Sequence, residues 1–437
     1  MRIAVARSVA TSWFPYRDGL PFAQGFPRSN DSRLGTLRAN HAQAGNSGNL
    51  IISEALGRIL GGERGTATSS YVELSRLRDS GWSAAEIAAY VDEHFDLVVF
   101  PMANHVRPGA RLGHLVDIVE ALRTDFAVFG LGLQNQLAAD ISALDSGTTK
   151  LFELFNERAK VFGVRGEATE KWFSSVGLLN AQALGCPSLY VYPRNILGIK
   201  APPKLTRGTI MTAGHIHQRA ERSTALYRIL AGWDARYVMQ DELFHLPRLL
   251  ENDDFYNDAT GQLDKETIEF SLSVIHHRRA PFRDYWYFQD VEPWRVFASQ
   301  QSAYVGDRFH GAVAALQAGV PALVLGEDLR VAELCAYFGI PYRATTDARR
   351  LTLPDLVQTA LSDDALATFQ ARYADRLAGF QKALSLIGVP EARSSEIPQG
   401  GGLTDARSKS GVSLRARRTV RAGLTRAANR IGRVRGT

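Results

Sequence analysis

Short apolar, β-branched runs alternate with stretches of helical period over the first 390 residues, which predicts parallel sheets wound in βαβ units. The first series opens with a strand over 2–9 and a helix over 48–60. A strand over 97–100, a helix over 113–122 and the stretch Ala127-Val-Phe-Gly-Leu-Gly132 follow. A strand over 161–165, a helix over 169–176 and Leu184-Gly-Cys-Pro-Ser-Leu-Tyr-Val191 close it. Pro193, Pro202 and Pro203 then mark a linker over 192–207. The second series begins at Gly208-Thr-Ile-Met-Thr-Ala-Gly-His215 and continues through a helix over 220–231 and a strand over 236–239. It reaches Tyr304-Val-Gly-Asp-Arg-Phe-His-Gly311, read as a strand end, a turn and a helix opened by Gly311. A buried strand from Pro321 and helical patterns over 332–338 and 356–386 complete it.

Composition narrows the class. At 437 residues the chain exceeds one ordinary core, and no apolar run is long enough to span a bilayer. Arg7 interrupts the apolar start, which therefore lacks the continuous core of a secretory signal. The two cysteines, Cys186 and Cys335, lie far apart in apolar segments and suggest neither a disulfide framework nor a zinc site. A cytoplasmic protein is expected.

Charge is unevenly placed. Ten basic residues and no acidic one fall between 406 and 437, so leaving that segment out turns a net charge of +6 into −4. After Pro390, Ser394-Ser395 and Gly400-Gly-Gly402 predict a flexible connector to this basic tail. In the tail, Val420, Leu424, Ala427, Ile431 and Val434 fall on roughly one helical face among arginines. That pattern suits an interfacial helix on anionic lipid, peripheral at the inner face of the cytoplasmic membrane; Gly423 and Gly432 favour disorder instead. No aromatic residue is interleaved, so nucleic acid is not an expected partner.

Ligands of open α/β sheets bind beyond the carboxyl ends of the strands, which gives weight to five places. Asn46 and Asn49, in Gly45-Asn-Ser-Gly-Asn49, offer amides and backbone N–H groups at a helix start, where plain capping is the competing use. Gly130-Leu-Gly132, followed by Gln134 and Asn135, lacks the third glycine and acidic residue of a dinucleotide fingerprint and predicts a tight turn. Arg165 ends a strand with a helix behind it and can fork onto a carboxylate or phosphate, or pair with Glu167. His215 and His217 alternate along the chain, but no third ligand accompanies them, so His215 is read as binding an anion or moving a proton. Finally, Asp307-Arg-Phe-His-Gly311 places a cation, an imidazole and a helix N-terminus at one spot, a seat for a small polyanion. The competing reading pairs Arg308 with Asp307 and makes His310 a helix cap.

These pieces, in this order, resemble the polysaccharide pyruvyl transferase family. The likeness rests on Gly45-Asn-Ser-Gly-Asn49, Val164-Arg-Gly-Glu-Ala-Thr169, Leu184-Gly-Cys-Pro-Ser188 and, above all, Asp307-Arg-Phe-His-Gly311 through Gly319-Val-Pro321. It covers roughly residues 40–345. The chain departs from the family where an aspartate is usual and Asn49 stands, and where a lysine is usual and Arg330 keeps the positive charge.

The resemblance implies an α/β fold of two Rossmann-like domains in the GT-B arrangement of glycosyltransferases. Residues 1–203 would form the acceptor side and 204–390 the donor-anion side, with 391–437 as linker and basic tail. It implies transfer of the pyruvyl group of phosphoenolpyruvate to a saccharide acceptor, lipid-linked in one version, closing a pyruvate ketal in surface or exopolysaccharide synthesis. Arg308 and Arg165 would clamp the donor, with Gly311, Asn46, Asn49 and Arg330 as further substrate contacts. His310 leads the candidates for proton transfer or anion binding, followed by His215, Asp307 and Glu327. Arginines can neutralise the donor, so neither metal nor cofactor is expected. The alternatives are a nucleotide-sugar-dependent glycosyltransferase of GT-B type and a non-catalytic glycan-binding homologue.

Overall fold

A computed structural model of the chain describes residues 1–6, 37, 46–61, 68–79, 81–202, 205–246, 255–257 and 259–389. The connector and basic tail lie outside these residues, as does the part of the first predicted strand beyond residue 6. No described helix is long and apolar enough to cross a membrane.

Two parallel sheets carry the fold. The first contains β1 (Arg2–Val5), β2 (Thr68–Tyr71), β3 (Leu97–Pro101), β4 (Phe126–Leu131), β5 (Val161–Val164) and β6 (Ala181–Ala183), in the order β2-β1-β3-β4-β5-β6. The second contains β7 (Ile210–Thr212), β8 (Ala235–Met239), β9 (Gln262–Leu263), β10 (Phe282–Tyr287), β11 (Ala303–Gly306), β12 (Ala322–Gly326) and β13 (Tyr342–Ala344). Its order is β13-β12-β11-β7-β8-β10-β9, parallel except for the β9–β10 edge pair. Without that edge strand it has the strand order of a Rossmann sheet. β3, β4, β11 and β12 are buried along their whole length, as expected where helices cover both faces of a parallel sheet.

Several predicted bounds shift for local reasons. The stretch over 356–386 is two helices, Leu353–Ala360 and Asp363–Leu386, because Thr352 and Ser362 each cap a new N-terminus. The segment over 113–122 starts as a single 3₁₀ turn, Gly113–Leu115, before the α-helix Val116–Ala121. The linker is partly helical over Pro193–Leu197, entered through left-handed Tyr192. The helix after β11 begins at Phe309, not Gly311, because Arg308 is the last extended residue.

The halves are tightly seamed. Helix Asp363–Leu386 returns to the first half, where Phe380 stacks on Tyr190 at 4.0 Å and the Tyr373 hydroxyl donates to Leu189 O at 2.6 Å. Glu54 and Arg58, on helix Gly48–Gly61, meet Arg295 and Glu292, on helix Val291–Ala298, in a buried ion cluster roofed by Tyr192.

Candidate active site

The strand ends of the two sheets face one cavity of about 420 Å³. In the second half the cavity lies where the strand order reverses, between β7 and β11. The two strands approach closely because Gly306 has no side chain: a Cβ there would sit 2.4 Å from Ala213 O. Asp307 N donates to Ala213 O at 3.0 Å, bringing the two loops side by side. As a result His215 Nδ1 lies 3.0 Å from Asp307 Oδ1, and both side chains line the cavity. Burial lowers the His215 pKa, only partly offset by Asp307, so the imidazole is neutral near pH 7 and able to accept a proton.

Arg308 does not pair with Asp307. Its guanidinium contacts Asp241 and lies 3.1 Å from Glu242, while the Tyr304 hydroxyl fixes the turn by donating to Arg308 O at 2.7 Å. Burial works against the Arg308 charge, but Glu242, Asp241 and Asp307 outweigh it and raise the pKa further. Of the two carboxylates sharing this cation, Asp241 is pushed up by burial but held below its usual range by Arg308 together with a Glu242 hydrogen bond and the nearby His215 and His217. Glu242 is fully buried, which pushes it up to about 7 against the pull of Arg308. The Tyr237 hydroxyl donates to Glu242 Oε1 at 2.8 Å.

A folded-state value above the unfolded one means the stability that Glu242 adds in its protonated form is present at low pH. It is lost as pH rises from the usual glutamate range of about 4.3 to about 7. Glu242→Gln removes this titration, so in melting curves between pH 4.5 and 8 the wild type should lose ground to the variant as pH rises. A constant difference across that range would refute this assignment.

Arg165 has a different environment. It follows β5, its N–H donates to Leu131 O at 2.8 Å, its Nε donates to Gly130 O at 2.9 Å, and its Nη1 contacts Asn104. Gly132 makes room for it, since a Cβ there would meet Arg165 Cδ at 2.5 Å. Glu167, the expected competitor, pairs with Arg376 at 2.8 Å. Arg165 is 3% exposed and has no carboxylate at ion-pair distance among the described residues, and burial lowers its pKa. Glu333 and Asp328 favour its charge only through space, from beyond ion-pair distance.

The other expected residues divide. Asn46, Asn49, His310 and Arg330 line the cavity, although Asn46 Oδ1 already accepts from Gly48 N at 2.7 Å and Arg330 pairs with Asp328 at 2.7 Å. Gly311 does not line it. Its N–H donates to Arg308 O at 3.0 Å, and its role is steric, since a Cβ would meet the Tyr304 ring at 2.8 Å. Glu327 is exposed beyond β12 and outside the lining, so its expected catalytic role has no geometric basis. Among the described residues no group of three His, Cys, Asp or Glu side chains could hold a metal ion.

Asn104, His105 and Arg107, after β3, and Gln240 and Asp241, after β8, also line the cavity, and sequence reasoning missed them. The signal was present: Gln240 directly follows a predicted strand, and Asn104 lies four residues past the end of another. The walls differ in charge. The first half supplies Arg107 and Arg165 without a carboxylate partner among the described residues, whereas the second sets Arg308 against Asp241, Glu242 and Asp307.

Two Rossmann-like halves facing a charged cleft define a mixed α/β protein of GT-B architecture. The model of the polysaccharide pyruvyl transferase family matches residues 46–328, and the chain belongs to that family of transferases in polysaccharide biosynthesis. No curated protein matches it. Among solved structures, it is similar to the UDP-forming α,α-trehalose-phosphate synthase from Burkholderia vietnamiensis. That match has 14% identity and a TM-score of 0.42 and covers 95% of this chain and 98% of that one. It is also similar to Anabaena Alr3699/HepE in complex with UDP, with 11% identity and a TM-score of 0.47, covering 89% and 99%. Likenesses this remote say nothing of activity.

Proposed function

We infer that the protein transfers the pyruvyl carbons of phosphoenolpyruvate to a saccharide, closing a ketal across two of its hydroxyls. The observation that carries this reading is Arg165, a buried cation without a carboxylate partner among the described residues, lining the same cavity as Arg308, His310 and the His215–Asp307 pair.

The donor's phosphate and carboxylate seek positive charge. Arg165 supplies it without a carboxylate at ion-pair distance among the described residues, while Arg308 acts in direct contact with Asp241 and beside Glu242 and pulls less. Protonation of the donor methylene leaves C2 electron-poor, and a saccharide hydroxyl adds there. The C2–O bond to phosphate breaks, and the second hydroxyl takes its place on C2. Of the two hydroxyl protons lost, the balance puts one on the new methyl group and one on the departing phosphate. His215, neutral and oriented through Nδ1 by Asp307, accepts a hydroxyl proton in this scheme; His310 and His105 are further imidazoles in the lining. Each such transfer is typically worth ~10² to 10⁴ in rate.

Phosphoenolpyruvate should raise the melting temperature and uridine diphosphate should not. His310→Ala should lose transfer of label from phosphoenolpyruvate to a glycan while still melting cooperatively. Stabilisation by uridine diphosphate alone would instead identify a nucleotide-sugar glycosyltransferase.

A further inference from the structure

Gln240 follows β8 at the second-half wall of the cavity and is 1% exposed. Its Nε2 is buried without a hydrogen-bond partner among the described residues. A buried donor in this state has lost its water without a replacement, and a ligand oxygen would supply one. The next residue, Asp241, has one oxygen on Arg308, and its ionised carboxylate also lines the cavity. Asp307 lies on the same wall, with its Oδ2 buried and likewise without a partner among the described residues.

These groups select against one ligand and for another. A phosphate or carboxylate brought to Gln240 would meet the neighbouring Asp241, whose charge Arg308 offsets in part, and Asp307 on the same wall, and like charges in a confined site repel. The same anion finds Arg165 and Arg107 on the opposite wall. A hydroxyl group is both donor and acceptor, so an amide N–H beside a carboxylate can meet it in both roles.

We propose that Gln240 and Asp241 form the seat of the acceptor saccharide, the amide donating to one hydroxyl oxygen and the carboxylate accepting from a hydroxyl. Calling the sugar an acceptor rests on the pyruvyl-transfer reading; the seat itself does not. The second half then holds the saccharide and the first half holds the donor anion, the reverse of the sides expected from sequence.

Binding of methyl β-D-galactopyranoside, methyl β-D-glucopyranoside and methyl α-D-mannopyranoside, measured by saturation-transfer NMR without donor, tests the seat. At least one should bind the wild type, and Gln240→Leu should weaken it about tenfold or more. Gln240→Met, which keeps the length but loses the donor, should do the same, while both variants keep the melting shift with phosphoenolpyruvate. Binding of none of the three, or equal binding by wild type and both variants, overturns the proposal. So does loss of the phosphoenolpyruvate shift with glycoside contacts retained, which would place the amide at the donor. If phosphoenolpyruvate fails to stabilise even the wild type while a glycoside binds through Gln240, the pyruvyl reading falls and the seat stands.

Discussion

Arg165→Met is expected to lower pyruvyl transfer about 10²- to 10³-fold and to abolish stabilisation by phosphoenolpyruvate. The same change should leave the ligand-free protein at least as stable as the wild type. Both effects have one cause. Arg165 is a buried charge bonded to Gly130 O and Asn104 without a carboxylate at ion-pair distance among the described residues, so the empty site bears its desolvation cost and a bound anion relieves it. Arg308→Met should behave in the opposite way. It strands Glu242 and Asp241, and losing one partner of a buried pair costs about 3–5 kcal/mol, so the free protein should melt lower. Melting curves of both variants with and without phosphoenolpyruvate separate the two roles. An undiminished ligand shift in Arg165→Met would mean that the anion binds elsewhere.

Glu54→Gln should destabilise the fold by about 3–5 kcal/mol, with no direct contact to the ligand cavity. Glu54 is 1% exposed and bonds both Arg58 and Arg295, the latter 0% exposed, so neutralising it leaves two buried guanidiniums sharing the partly exposed Glu292. Burial alone would raise the Glu54 pKa; Arg295 and Arg58 outweigh it and hold the carboxyl below its usual range. The stability it contributes is therefore present above the unfolded glutamate value and is lost as pH falls toward the lowered one. Replacing the buried set together, as Glu54→Met, Arg58→Leu and Arg295→Met, should restore most of the loss, because an apolar cluster of similar volume avoids desolvating ions. Urea unfolding at pH 7 measures both variants. A single variant as stable as the wild type would show that the cluster is hydrated and that the seam draws its strength from packing around Tyr190 and Phe380.

Strands with continuous apolar runs, such as β3, β4, β11 and β12, were legible because burial on both faces leaves an unbroken hydrophobic signature. β2 and β10 were not, since Thr-Ser-Ser-Tyr carries little apolar signal and Phe-Arg-Asp-Tyr-Trp-Tyr mixes charges into a half-covered strand. Of the site, Arg165, Arg308, His310, His215 and Asp307 could be singled out because each directly follows a strand or opens a helix. Gln240 and Asp241 satisfied the same rule and lacked only a distinctive motif.

Sequence alone determined two wound parallel sheets in series and the residue types at most of the strand ends, because periodicity and strand-end position are local properties of a chain. Pairing was decided only in three dimensions. That Asp307 meets His215 rather than Arg308, that Arg308 answers to Asp241 and Glu242, and that Arg165 is left without a carboxylate partner among the described residues depend on contacts between residues tens of positions apart. Charge compensation in a buried site acts through space, and only the folded arrangement of both sheets shows which cation has no carboxylate at ion-pair distance among the described residues.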